Sequence, residues 1–330
     1  MTKLILNNIT SPSFNLALEE YLLDNFKDDN IIMLWRNSKS VIIGKNQNAY
    51  GEIDIDYVKQ NDISVIRRLT GGGAVFHDLG NINYTFISDY DKESFGDFTA
   101  FAAPICSFLK TKGVSASLSG RNDITVNNAK ISGTAQTVKG TRCLAHGTLL
   151  YSADLTNLSK ALKPNLKKLE DKAIRSVKSR VSNIKEISNI SLSSEDFLNE
   201  LYKFFLTQEN VKEYTLTQED IKAAKQIESE RYSKWEWNFA FSPDFSLETE
   251  KKYPFGIVEC KLNVEDGRIA KIKFFGDFFS VKNTDALEKS LINVKFDRNE
   301  LNNVIKDIEI SDYIAKMEKN MLVDLIMSAK

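Results

Sequence analysis

A run of three glycines, Gly71, Gly72 and Gly73, sits in the string RRLTGGGAVFHD at residues 67–78 and argues against a regular helix or strand there. Without Cβ atoms such a run reaches positive φ and can turn its N–H groups toward an anion. Arg67 and Arg68, just upstream, supply charge suited to phosphate or carboxylate. The spacing fits neither standard phosphate loop: the lysine of a P-loop is missing, and Phe76 stands where GxGxxG needs its last glycine. Anion cradling is the chemistry suggested, and a glycine-rich hairpin connection with two surface arginines is the plain structural alternative.

A second string, SGRNDITVNNAKISGTA at 119–135, places Asp123 and Lys130 on either side of a strand–turn–strand pattern. Asn127 and Asn128 are turn residues, so a hairpin would bring carboxylate and ammonium together. They would form either a shared site or an ordinary surface ion pair.

The rest of the chain supplies the frame. Its 330 residues, at about 150 per domain, suggest two domains. Ser11-Pro12 opens a helix in which Phe14, Leu18, Tyr21 and Leu22 recur at helical spacing, with Glu19, Glu20 and Asp24 on other faces, as in an amphipathic helix. Short β-like runs follow at 31–35, 41–43 and 64–68, and a period-two run at 81–88 puts Ile82, Tyr84 and Phe86 on one sheet face. Helices are expected at 98–109 and 195–205, and a strand beginning at His146. Around 242–254 the pattern weakens into a linker. Beyond it, 255–264 and 268–275 form a hairpin about Gly267, followed by helices over 284–292 and 298–327. This is an α+β pattern.

Forty-four Lys and Arg balance forty-five Asp and Glu, a net charge of −1, so nothing draws the whole chain to nucleic acid. The one strongly basic stretch is 163–183, a solvated face or an anion-binding loop. Cys106, Cys143 and Cys260 are scattered and lack zinc-ligand spacing, as in a reduced cytoplasmic protein. No stretch approaches the roughly 18 apolar residues of a membrane span, and none reads as a signal peptide.

Residues 67–81 resemble the RRxSGGGAVFHDxGN signature of lipoate–protein ligases, with Thr70 where serine is usual. Residues 120–135 resemble their GRND…KISGxA signature, and HGTLL at 146–150 and KxIxSVxSRVxN at 172–183 resemble two further family motifs. The likeness runs from Trp35-Arg36-Asn37 through WEWN at 235–238 into the last part of the chain. It implies a catalytic domain related to biotin ligases over 1–245, a mixed sheet flanked by helices, and a small α/β accessory domain over 246–330. The implied activity is adenylation of lipoate by ATP with Mg²⁺, then transfer of the lipoyl group to a lysine of an acceptor, a 2-oxoacid dehydrogenase E2 lipoyl domain or the glycine-cleavage H protein. No tightly bound prosthetic group is expected.

The same resemblance assigns roles. Lys130 is the essential lysine, a compact charge able to stand between lipoate carboxylate and α-phosphate. Asp123 holds Lys130 or binds Mg²⁺. Arg68, Gly73, Ala74, Val75 and Phe76, with Ser176 and Arg180 in the basic stretch, contact ATP or the adenylate. Gly71, Gly72 and His77 face lipoate, and the basic stretch acts as a lid over the intermediate. His146 reads as structural. The rival within the fold is an ATP-independent octanoyl or lipoyl transferase working through a cysteine, for which Cys143 is the one placed near the motifs. Two further readings are a binding protein that has kept the fold but lost the reaction, and a biotin ligase, whose GRGRxG-type loop is absent.

Overall fold

The computed structural model describes every residue except 48, 94, 121, 163–180, 240–245, 266 and 330. The chain forms two compact bodies: Met1–Ile43, Ala49–Arg68 and Ala74–Phe239 make the first, and Gly44–Asn48, Leu69–Gly73 and Ala240–Lys330 the second.

The first body is built on an eight-stranded mixed sheet. Its strands are β1 (Thr2–Asn7), β2 (Asn30–Arg36), β6 (Asn81–Asp89), β7 (Ser117–Ser119), β8 (Asp123–Val126), β9 (Ala129–Lys139), β10 (Arg142–Leu150) and β11 (Val211–Glu213), in the order β11-β1-β2-β6-β10-β9-β8-β7. β1 runs parallel to β2 and β11, and every other pairing is antiparallel.

Cross-strand partners share a face, so the register sorts side chains into two sets. Leu34 opposite Tyr84 and Ile82 opposite Leu149 lie on one face. They pack with Ala102, Ile105 and Phe108 of the helix Thr99–Thr111 and with Phe197, Leu201 and Phe205 of the helix Ser194–Leu206. Trp35 opposite Asn83, Thr148 opposite Asn83 and His146 opposite Thr85 lie on the other face, which is predominantly polar along β6 and β10. His146 is therefore mid-strand rather than at a strand's start, because β10 begins at Arg142, whose buried guanidinium binds Asp89 at 2.6 Å. The next residue must be glycine: a Cβ on Gly147 would lie 2.2 Å from the Tyr84 hydroxyl.

The helix Pro12–Asn25 starts as expected, with the Ser11 side chain accepting from the Phe14 N–H. It is not amphipathic in the expected sense. Glu19 and Glu20 are both under 5% exposed, because Glu19 accepts hydrogen bonds from Thr85 and His146 while Glu20 binds Arg231, Tyr232 and Lys139. A small sheet, β4-β3-β5, completes this body: β3 (Ser40–Ile43) is parallel to β4 (Ser64–Arg67) and antiparallel to β5 (Val75–His77).

The second body holds an antiparallel sheet of β12 (Leu247–Tyr253), β13 (Gly256–Glu265) and β14 (Arg268–Gly276). Helices Asp285–Leu291, Arg298–Ile305 and Lys319–Met327 pack on it around Val258, Leu262, Ile272, Leu287, Leu301 and Leu322. The hairpin lies where the sequence places it, with Gly267 at φ +72° in its turn. Two expectations fail here. Residues 247–253 are a strand rather than a linker, one whose Glu and Lys content suits an outer edge. The single helix expected over 298–327 is broken by a 3₁₀ turn at Ile310–Asp312 and by Lys316 at φ +65°.

Candidate active site

The β8–β9 hairpin forms as its turn residues dictate: Asn127 and Asn128 take φ of +49° and +66°, the left-handed pair of a two-residue hairpin turn. Val126 pairs with Ala129 and Thr125 with Lys130, but Ile124 pairs with Ser132, so Ile131 is an extra residue, a β-bulge. The bulge decides the site. It brings Gly133 rather than Ser132 opposite Asp123, and it buries Ile131 in the apolar core. A Cβ on Gly133 would lie 3.2 Å from Lys130 Nζ and 3.3 Å from its Cε, so the missing side chain makes the room in which the ammonium lies. Lys130 Nζ meets Asp123 Oδ1 at 2.7 Å, and both side chains are 36% exposed. The result is a held cation that solvent-borne molecules can still reach.

Arg67 and Arg68 are buried, which overturns the picture of two surface arginines. Arg67 donates from Nε to the Trp237 carbonyl at 2.9 Å and from Nη2 to the Asn238 carbonyl at 3.2 Å. Asn238 Oδ1 in turn accepts the Arg67 backbone N–H, and the Trp237 indole N–H donates to the Arg67 carbonyl. Arg68 donates to the Ile42 carbonyl at 3.1 Å. Desolvation pushes both guanidinium pKa values down to about 10, with the Glu19 carboxylate opposing the shift at Arg68, so both stay charged at neutral pH.

Two of the three glycines are required by sterics or backbone conformation, and the third is not. A Cβ on Gly71 would sit 2.2 Å from the Phe278 carbonyl oxygen, Gly72 takes φ +93°, and a Cβ on Gly73 would meet nothing within 4 Å. Lys45 N–H donates to the Thr70 carbonyl, and Gly44 has no room for a Cβ because the Gly72 carbonyl is 2.0 Å from that position. Downstream, Ala74 and Val75 are half-buried and Phe76 is buried against Val41 and Ile43 in the core of the small sheet.

His77 is 4% exposed, and desolvation, reinforced by Arg68 and His146, pushes its pKa down to about 3. The Asn37 amide donates to Nδ1 at 3.1 Å, which puts the proton on Nε2. That N–H is buried and has no partner among the described residues. The His77 ring meets the edge of Trp35, whose indole N–H donates to Thr85 Oγ1, and Thr85 donates on to Glu19. Neither Trp35 nor Glu19 carries a local sequence signal for this place beside His77. A buried carboxylate in an apparently amphipathic helix carries no signal until its partners are seen.

Ser176 and Arg180 lie outside the described residues, as does most of the basic stretch. Its flanks are described: Leu162 bridges to Ile53, and Val181 bridges in parallel to Lys130 itself.

Comparison with known proteins gives this geometry its context. The family profile "Lipoyl protein ligase A/B catalytic domain" matches residues 11–206, more than half the chain. The chain belongs to the lipoyl protein ligase family. A second profile, the bacterial lipoate protein ligase C-terminus, matches residues 242–326 of this ligase. It is 41% identical over 323 residues to the lipoate-protein ligase LplJ of Bacillus subtilis, covering 97% of this chain and 98% of that one. Among solved structures, Plasmodium falciparum LipL1 in complex with lipoate superposes with a TM-score of 0.77 at 28% identity, over 99% of this ligase and 98% of the other. A lipoate-protein ligase A bound with ATP gives a TM-score of 0.62 at 29% identity, over 72% of this chain and 98% of that one. Among the described residues no helix is long and apolar enough to cross a membrane.

Proposed function

We propose that this ligase joins lipoate to ATP at the Lys130–Asp123 hairpin and passes the lipoyl group to a lysine of an acceptor protein. The observation that carries the reading is the partly exposed Lys130 ammonium, held at 2.7 Å by Asp123 above a glycine. In the first step a lipoate carboxylate oxygen attacks the α-phosphorus of ATP and pyrophosphate leaves. Two anions must approach, and a compact ammonium between them offsets their repulsion where charge develops. In the second step the acceptor amine attacks the acyl carbonyl, AMP leaves, and the amine loses a proton. The same ammonium then stabilises the departing phosphate.

Asp123 keeps Lys130 oriented by its ion pair. A Mg²⁺ arriving with the nucleotide would need only a carboxylate beside the phosphates. Asp123 would hold it, and it would neutralise phosphate charge. Arg68 and the main chain of 73–76 would contact the nucleotide, and Gly71, Gly72 and His77 the lipoate, the last offering a buried Nε2–H that has no partner among the described residues. Ser176 and Arg180 would contact the adenylate. The catalytic part spans 1–245 and the accessory part 246–330. The acceptors are E2 lipoyl domains or the glycine-cleavage H protein, and the compartment is the cytoplasm, in keeping with three unpaired cysteines.

The cysteine-transferase alternative loses its nucleophile, since desolvation pushes the buried Cys143 thiol up to about 12, far from a thiolate at neutral pH. Incubation with ATP, Mg²⁺, lipoate and a panel of lipoyl domains and H protein tests the proposal. Pyrophosphate release and an acceptor mass increase of one lipoyl group are expected. Acyl transfer between carriers without ATP would overturn it.

A further inference from the structure

The strand that carries Lys130 has an open edge. β10 pairs with β9 from Thr134 to Lys139, so beside residues 129–133 the two strands part, and Gly133 N–H reaches the Thr148 side chain at 3.3 Å. Into that gap comes the segment 181–183. Val181 bridges to Lys130, and the Ser182 N–H donates to the Lys130 carbonyl at 3.0 Å. Lys130 thus has Thr125 on one side and this short segment on the other.

The segment is fastened by one side chain. Asn183 is 4% exposed; its Oδ1 accepts the Ala153 N–H at 2.8 Å and its Nδ2 donates to the Ala153 carbonyl at 3.0 Å. An amide that both gives and takes on one residue's main chain imitates a strand pair, and here it ties 181–183 to the chain leaving β10. Nδ2 also donates to Glu186 at 3.0 Å, and Lys185 N–H to the Tyr151 carbonyl sets the following turn.

We infer that Asn183 is a positioning residue for adenylation, acting on Lys130 through the Ser182 N–H, and that it touches neither substrate. This rests on the role proposed above for Lys130. The chemical step is sensitive to placement: about 1 Å of displacement costs roughly 100-fold in rate.

The test measures lipoate-dependent pyrophosphate release by the full-length enzyme for Asn183→Ala, Ser182→Pro, Lys130→Ala and the double variant Asn183→Ala/Lys130→Ala. Ser182→Pro removes the N–H to Lys130 while leaving Asn183 in place, so a folding failure of Asn183→Ala does not end the test. Asn183→Ala and Ser182→Pro are each expected to lower kcat about 10- to 100-fold, with KM for lipoate changed less than about 3-fold. The double variant is expected to be no slower than Lys130→Ala alone. If both single variants keep wild-type kcat while Lys130→Ala is slow, the inference falls and the Lys130 role stands. If Asn183→Ala slows the Lys130→Ala enzyme by its full factor, Asn183 acts elsewhere and the inference also falls. A Lys130→Ala enzyme at wild-type rate would instead remove the role assigned to Lys130.

Discussion

Two cationic regions of the first body treat their charge in opposite ways. Arg67 and Arg68 are buried and bound to main-chain carbonyls, Arg67 to those of Trp237 and Asn238 and Arg68 to that of Ile42. Lys130 is a third exposed, paired with one equally exposed carboxylate, and set over a glycine. A planar guanidinium with several fixed donors suits the first role, crosslinking segments distant in sequence. A flexible ammonium suits the second, because with Asp123 holding one side an incoming anion can approach the other at little cost where water already reaches the pair. Charge type alone would have grouped the three residues. Burial and partners separate the brace, Arg67, from the reagent proposed at Lys130.

Arg67→Met should break the brace and leave the reagent in place. It removes, among others, the charge-assisted hydrogen bonds to the Trp237 and Asn238 carbonyls, and a loss of about 3 kcal/mol is expected in urea unfolding. If stability did not change, Arg67 would not be a brace and the contrast would fail. Gly133→Ala should do the converse. Its Cβ displaces the Lys130 ammonium by a few tenths of an ångström, and kcat for adenylation should fall about 3- to 10-fold with stability unchanged or slightly raised. An alanine enzyme with full activity would show that the glycine floor does not set the lysine's position.

His77 sharpens the comparison from the side of pH. Its folded pKa of about 3 lies below the ordinary 6.5, so between those values the unfolded chain binds a proton that the folded one refuses. Stability should fall as pH drops from 6.5 toward 3, by up to about 1.4 kcal/mol per pH unit from this residue. His77→Asn should flatten that slope in denaturation curves taken across the window. An unchanged slope would mean the imidazole is not held neutral by burial.

The hairpin was legible because its signals are local: two asparagines able to take positive φ, with a carboxylate and an ammonium flanking them. The bulge at Ile131 was not, since it depends on which strand pairs with which and on a core that accepts the isoleucine. The glycine run announced a loop, but the packing requirement at Gly71 comes from the Phe278 carbonyl, more than two hundred residues away. Glu19 and Glu20 looked like a solvent face because helical spacing alone does not reveal Thr85, His146 or Arg231 waiting for them. The charged strand Leu247–Tyr253 looked like a linker because an edge strand carries the same residues that loops favour.

Lipoate-dependent release of pyrophosphate from ATP by Lys130→Ala, followed without acceptor, bears most directly on the ammonium between two anions. The rate should fall on the order of 1,000-fold with the unfolding midpoint unchanged. A variant that forms lipoyl-AMP within about 3-fold of the wild-type rate would mean the anions meet without this side chain.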